Sequence, residues 1–146
     1  VATAGALADA SADHRLIQAL HQISTQSAEQ AERLEALFAL LYLEPRADAC
    51  WPTTALLREA SDSCIVQGVQ GCAAALLAIK RYEVTLYEAL LRWSEQCSLD
   101  EIVPDIRRSI AEELVQASVL AEIAFKEVTP QQSAQINTAT PTASVH

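Results

Sequence analysis

The stretch that decides the fold is LIQALHQISTQSAEQAERLEALFALL, residues 16–41. Its apolar side chains recur at steps of three and four residues, which is the spacing of a helix that buries one face in a bundle. The opposite face carries Gln22, Glu29, Arg33 and Glu35. We therefore predict a long amphipathic helix that has Asp13 as its N-cap and ends before Pro45. The predicted buried stripe is Leu16, Leu20, Ile23, Ser27, Ala31, Leu34, Phe38 and Leu41.

Two further long helices follow the same periodicity. A short helix over residues 53–60 precedes the second long helix, which we predict over residues 62–96. Ser98 and Glu101 form a capping box for the third helix, and Pro104 either kinks that helix or marks its true start. The inner positions of the second helix are Val69, Cys72, Ala73, Leu76, Lys80, Glu83, Tyr87, Leu90 and Ser94. Those of the third, which extends to Val128, are Ile102, Ile106, Ile110, Leu114, Ala117, Ala121 and Phe125.

These segments predict an all-α chain, because no stretch shows sustained alternation of apolar and polar residues. The expected helical domain covers residues 12–128. We interpret residues 1–11 as the remnant of a first helix, and residues 129–146 as a flexible tail because they carry no charge and no periodicity. Three long helices leave a four-helix core incomplete. The missing element would be residues 1–11, an absent N-terminal helix or a second chain.

Composition limits the classes of function. Hydrophobic residues make up 51% of the chain and aromatic residues only 5%, which predicts an aliphatic, alanine-rich core. The formal net charge of −9 repels phosphate backbones and anionic lipid, so we expect neither nucleic-acid binding nor membrane-surface binding. No apolar run approaches the roughly eighteen residues that span a bilayer. The first ten residues lack Lys and Arg, and the chain has no Met, so we expect it to begin after processing or truncation.

The cysteines do not indicate a metal site. Cys50, Cys64, Cys72 and Cys97 contain no CxxC pair, and the chain has only three histidines. Four cysteines permit three disulfide pairings, but the chain lacks the cysteine density of a small stapled domain. We therefore predict reduced thiols in a cytoplasmic protein.

Two charged residues interrupt the stripe of the second long helix. Lys80 and Glu83 share one face at positions where the periodicity expects leucine, and Glu112 and Glu113 flank the stripe of the last helix. One interpretation is that the stripe rotates here and that both charges reach solvent. The other is a buried polar cluster of Lys80, Glu83 and Glu113, in which the charges pair because an isolated buried charge is costly. Tyr82 or Tyr87 would be its hydrogen-bond partner.

Three separated blocks resemble one known family. They are RLEALFALLYLEPRADACWPTTALLREA (residues 33–60), IKRYEVTLYEAL (79–90) and SIAEEL (109–114). Together they are similar to the YciE/YciF-like ferritin-like stress proteins, over a region from about Leu16 to Ala124. The resemblance implies a ferritin-like helical bundle with three long helices and a truncated or missing first helix. It also implies the location of a di-metal centre, which in such bundles needs about four carboxylates and two histidines.

The departures from that family concern the metal positions. Lys80 and Arg81 stand where the family usually carries Glu-His, and Ile23 stands where it carries histidine. The retained family residues are Tyr82, Glu83, Tyr87, Glu112 and Glu113. Because Lys80 brings positive charge to the place of a cation, we expect a salt bridge there, no metal and no cofactor. The alternative is a residual iron- or manganese-binding protein or oxidase that uses Glu83, Glu112 and Glu113.

The expected function follows from these observations. The sequence contains no nucleophile–base pair, phosphate-binding loop or dinucleotide fingerprint, so we assign no catalytic residue. His14, His21 and His146 occupy a polar face, a polar helix position and the tail. We therefore expect a metal-free structural or interaction protein, resembling bacterial stress-associated proteins, that forms a homodimer or is a subunit of a larger assembly.

Overall fold

A computed structural model describes residues 2–44 and 51–126 of the chain, with side chains from His14 onwards except at residues 51 and 63. It contains the helices α1 (Ala2–Leu40), α2 (Trp51–Gln96) and α3 (Val103–Ala124). Within the described residues no strand is present. The prediction of an all-α chain is therefore confirmed.

Helix α1 begins earlier than expected. It starts at Ala2 and passes through Asp13, so the predicted N-cap at Asp13 is wrong. The alanine-rich segment before Asp13 has high helix propensity and continues the same backbone helix. At the other end Tyr42 is left-handed, with a φ of 57°. Leu43 N–H donates to the Phe38 carbonyl at 2.9 Å, which is the bond of a Schellman motif. Pro45 lies outside the described residues.

Helix α2 is interrupted at Gly68, not near residue 61 as predicted. Gly68 has a φ of 66° and a ψ of −153°, a conformation that is essentially confined to glycine. The Cα atoms of Cys64 and Cys72 are 4.3 Å apart, whereas eight residues of straight helix span about 12 Å. The first arm of α2 (residues 51–67) therefore folds back sharply against the start of the second arm (residues 69–96).

Cys64 and Cys72 form a disulfide across this bend. The expectation of reduced thiols is therefore wrong for this pair, because the bend brings together two cysteines that a straight helix would keep apart. Cys97 is an exposed free thiol, and Cys50 lies outside the described residues. Disulfides persist mainly in oxidising compartments, and the cytoplasmic location of this protein stays a prediction.

Helix α3 starts without the predicted capping box. Ser98 is left-handed, with a φ of 56°, and Leu99 N–H donates to the Ser94 carbonyl at 2.9 Å. Ser98 therefore ends α2 in a second Schellman motif and is not free to cap α3. The N-cap of α3 is Ile102, which makes no side-chain cap bond, and Pro104 lies in the first turn. That position tolerates proline because its N–H would have no partner within the helix.

Two apolar clusters form the core, one toward each end of the packed helices. α2 packs along α3, and α1 packs mainly on α3 and touches α2 little. The buried members of the first cluster are Leu16, Ala19, Cys72, Ala73, Leu77, Ala117, Leu120 and Ile123. Those of the second are Leu37, Ile102 and Ile106, against which Leu34, Leu41, Tyr87, Leu90, Leu91, Leu99 and Ile110 pack. Polar side chains fill the space between the clusters.

The buried face of α3 is rotated from the predicted stripe. Leu114 and Phe125, which were expected inside, are exposed. The buried residues are Ile106, Ser109, Glu113, Gln116, Ala117, Leu120 and Ile123. Apart from the adjacent pair Gln116 and Ala117, these positions also recur at steps of three and four, so they define one helix face. This face is buried in the folded chain although Glu113 and Gln116 in its middle are polar.

Candidate functional site

A layer of polar side chains crosses the interior between the two apolar clusters, and we call it the polar layer. Each helix contributes to it from one face, at positions three or four residues apart except for the adjacent Glu112 and Glu113. Its members are Gln26, Gln30 and Arg33 from α1, Lys80, Glu83 and Tyr87 from α2, and Ser109, Glu112, Glu113 and Gln116 from α3. The layer is therefore built into the helix periodicity and is not a local irregularity.

Lys80 occupies the centre of the polar layer. Its side chain is 4% exposed, and that of Glu113 is 1% exposed. Lys80 Nζ donates to Glu83 Oε2 at 2.8 Å and to Glu113 Oε1 at 3.3 Å. Lys80 Nζ also lies 3.1 Å from Glu113 Oε2. That oxygen accepts no hydrogen bond, so the contact is electrostatic. One cation thus joins a buried carboxylate on α3 to a half-buried carboxylate on its own helix.

Glu112 forms the second ion pair of the polar layer, with Arg33 of α1. The Arg33 guanidinium donates to both carboxylate oxygens, at 3.0 Å for the Nη1 to Oε1 bond. Gln30 and Arg108 donate to the same carboxylate at 3.3 Å and 3.0 Å. The Arg33 hydrogen bond is the main reason that the pKa of Glu112 falls to about 2. Glu112 is therefore a fully ionised, fully engaged carboxylate.

The pKa of Glu113 is shifted in the opposite direction, upward, by burial. Desolvation raises the pKa of this carboxyl above its usual value, and the nearby Glu83 charge raises it further, while Lys80 lowers it. Burial also raises the pKa of Tyr87, which a hydrogen bond with Ser109 partly offsets. The two neighbouring glutamates of α3 thus have pKa values shifted in opposite directions by their surroundings.

The formal charges of the polar layer cancel once Arg108, an exposed residue of α3 at the edge of the layer, is counted with it. Three cationic groups face three carboxylates. The cations are Arg33, Lys80 and Arg108, and the carboxylates are Glu83, Glu112 and Glu113. A divalent metal ion is held by excess negative charge and by free lone pairs. The layer has no excess negative charge to offer such an ion.

Three buried polar atoms without a hydrogen-bond partner lie in this layer. They are Arg33 Nε, Glu113 Oε2 and Gln116 Oε1, although Gln116 donates its amide to Gln26. Buried orphan groups are uncommon in native proteins, and they mark a region where packing competes with polar satisfaction. One shallow cleft, between α1 and α2, reaches the layer at Gln30 and Glu83. Another, between α1 and α3, reaches it at Arg33.

The structure separates the residues singled out from the sequence. Lys80, Glu83 and Glu113 come into contact, and Tyr87 lies beside them, coupled electrostatically to both glutamates. Tyr82 is half-buried, two residues after Lys80, and therefore points to a different side of α2. Arg81 is exposed and does not face the polar layer.

Sequence reasoning missed most of the polar layer on α1. Arg33 was assigned to the solvent face, but its side chain is 14% exposed and bound to Glu112. Gln30 is buried, and Gln26 is half-buried. The signal was present in the series Leu16, Ala19, Ile23, Gln26, Gln30, Arg33 and Leu37, which also steps by three and four. The predicted stripe nearby is more hydrophobic, and hydrophobicity alone favours it over this series.

The arrangement does not fit a metal centre. Among residues 2–44 and 51–126, no three His, Cys, Asp or Glu side chains form a group that could hold a metal ion. Glu112 is bound by two guanidinium groups, and Glu113 is bound by an ammonium group. Ile23, at the position of the expected family histidine, packs against the first apolar cluster.

These features define a helical protein with a charge-balanced polar layer in its core. Residues 1–134 match the family described as Domain of unknown function (DUF892), so the chain belongs to that family. No curated protein matches the chain, and no solved structure matches it. No helix in the described part of the chain has an apolar stretch long enough to cross a membrane.

Proposed function

We propose that this chain is a ferritin-like helical protein in which ion pairs replace the di-metal centre. It acts through assembly, as a homodimer or a subunit of a larger complex, and not through catalysis. The position of Lys80 carries the proposal. A protonated amine cannot ligate a metal, and this one holds Glu83 and Glu113, two of the carboxylates that a metal would need.

The three sequence blocks similar to YciE/YciF-like proteins support a ferritin-like bundle and a role in bacterial stress physiology. The sharp bend at Gly68 adds to this view, because it turns α2 into two helical arms and supplies a fourth helical segment for the bundle. Residues 2–11 continue α1 and do not form a separate helix.

Metal analysis tests this proposal. The purified protein is loaded with Fe(II), Mn(II) or Zn(II), dialysed, and examined by elemental analysis and thermal unfolding. We expect far less than one metal ion per chain and no metal-dependent rise in Tm. One or two ions per chain that survive dialysis would overturn the proposal and favour residual binding by Glu83, Glu112 and Glu113.

The matched variant is Lys80→Glu, which removes the cation and adds a carboxylate at the same buried position. It places four carboxylates in the layer against two guanidinium groups. We expect this variant to bind a divalent metal and to gain Tm when the metal is added, because the cation would neutralise the excess charge. A variant that folds but gains no metal-dependent Tm would show that Lys80 is not what excludes metal.

A further inference from the structure

Helix α3 carries an apolar surface on the side that faces away from the core. Leu114 and Val115 are 53% and 57% exposed, and Ala111 and Ser118 beside them are also exposed. Phe125, 70% exposed, lies further along the same side, beyond Glu122. At the same height the inward side buries Glu113 and other polar residues. The middle of α3 is therefore polar inside and apolar outside. Single exposed apolar residues are ordinary, but a contiguous group of them is typical of an interaction surface.

This surface has a regular pattern along the helix. We call it the outer face of α3 and define it as Arg107, Ala111, Leu114, Val115, Ser118, Glu122 and Phe125. Apart from the adjacent pair Leu114 and Val115, the positions recur at steps of three and four, so they form one side of the helix. Its only charges are Arg107 near one end and Glu122 near the other, and they have opposite signs. The apolar centre is thus flanked by complementary charges at equal distances.

We infer that the outer face of α3 binds the outer face of a second copy of this chain, with the two α3 helices antiparallel about a twofold axis between Leu114 and Val115. This inference rests on the proposed function in assembly, and it identifies the outer face of α3 as the surface through which two copies associate. In this register Arg107 lies opposite Glu122 of the second copy, and this pair occurs twice by symmetry. Ala111 lies opposite Ser118 of the second copy, so small residues meet where the helices approach each other.

The charges of Arg107 and Glu122 favour a second copy of this chain as the partner and an antiparallel arrangement of the two α3 helices. A parallel pairing would place Arg107 against the Arg107 of the second copy and Glu122 against its Glu122, which is repulsive. The antiparallel pairing converts both repulsions into attractions. With a chain of net charge −9, association through an uncharged centre with paired ends also limits the repulsion between copies.

Both flanking charges already have partners in their own chain. Arg107 bonds Glu95 at 3.0 Å, and Glu122 accepts from Arg15 at 2.7 Å. These side chains are still 63% and 64% exposed. A guanidinium has five N–H donors and a carboxylate has about four acceptor sites, so each group can bind a second charge as well.

The mass in solution is the first test. Sedimentation equilibrium at about 100 µM protein, where a micromolar Kd gives nearly complete association, should give twice the chain mass of 15.8 kDa. The variant Leu114→Glu/Val115→Glu should be a monomer with unchanged helix content. Leu57→Glu is the matched control, because Leu57 is a leucine with 52% exposure on the first arm of α2. A monomeric parent, or a dimer that survives Leu114→Glu/Val115→Glu, would overturn the interface.

A charge reversal tests the register. Arg107→Glu and Glu122→Arg should each weaken the dimer about tenfold, since each creates two repulsive contacts of about 0.7 kcal/mol across the axis. The double variant Arg107→Glu/Glu122→Arg should restore the parent Kd. Both intrachain pairs remain broken in the double variant, so restoration can come only from contacts between copies. A double variant no tighter than the singles would overturn the antiparallel register. Neither result depends on the metal analysis.

Discussion

At the scale of single residues, Lys80 joins the two helices that meet at the centre of the polar layer. Replacing it with methionine keeps most of the length of the side chain but leaves Glu113, 1% exposed, without its cation. We expect Lys80→Met to lower the free energy of unfolding by about 3–5 kcal/mol at pH 7, as for a broken buried ion pair. Urea denaturation measures this change.

Two further variants separate charge pairing from general disruption. Lys80→Met/Glu113→Gln should recover part of the loss, because it also removes the buried charge that Lys80→Met leaves unpaired. Arg81→Met is the matched control, since Arg81 is the next cation on the same helix and is exposed. It should change stability by less than about 0.5 kcal/mol. If Lys80→Met were as stable as the parent, the charges at 80 and 83 would act as a solvated pair.

The pKa of Glu112 gives the protein a predictable acid response. The pKa is about 2 in the folded state against 4.5 for an ordinary glutamate, so Glu112 adds stability above pH 4.5. That stability is lost as the pH falls from 4.5 toward 2. We expect Glu112→Gln to remove about 1–2 kcal/mol at pH 7, a value reduced for solvent screening, and to flatten the loss in that window. Thermal unfolding from pH 7 to pH 2 tests this, with Glu35→Gln as the exposed control. Parallel pH profiles for the parent and Glu112→Gln would contradict it.

At the scale of elements, the disulfide and Gly68 together hold the bend of α2. Cys64 is exposed, whereas Cys72 is buried in the first apolar cluster, so Cys64→Ser/Cys72→Ala removes the bond with little change in packing. A closed loop of this length should contribute about 2–3 kcal/mol, which the variant loses. Reducing the parent with a dithiol should lower its urea midpoint to that of the variant. The control Cys97→Ser should leave the midpoint unchanged. Non-reducing peptide mapping that fails to link Cys64 to Cys72 would contradict this prediction.

Helix ends show how local signals compete. Ser98 and Glu101 form a good capping box by sequence, and Asp13 is a good N-cap residue. The structure uses neither, because Ser98 already closes α2 and the alanine-rich segment extends α1 past Asp13. Pro104 was the stronger signal for the start of α3, since a proline inside a helix clashes with the preceding turn. Signals that rest on steric exclusion were thus more reliable than signals that rest on a preference.

At the scale of the whole molecule, the two apolar clusters supply the burial that stabilises the fold, and the polar layer lies between them. The layer costs desolvation energy that its ion pairs offset only in part, as the orphaned atoms of Arg33, Glu113 and Gln116 indicate. An apolar layer of the same volume would pack at least as well. The polar layer is therefore not explained by stability alone.

The sequence alone determined the helical class and the placing of Lys80 and Glu83 on one helix face, because these follow from periodicity along one chain segment. Whether that face is buried or solvated stayed open at the level of the sequence. Only the tertiary structure decided which face of α1 and α3 is buried. Each helix offers two sides with the same three-and-four spacing, and the choice depends on what the neighbouring helix presents. The bend at Gly68 and the Cys64–Cys72 bond likewise required three dimensions, since a lone glycine in a helical pattern signals flexibility but not the direction of the turn. Arg33 became part of the polar layer because Glu112 faces it from another helix, a relation that no pattern within α1 could show.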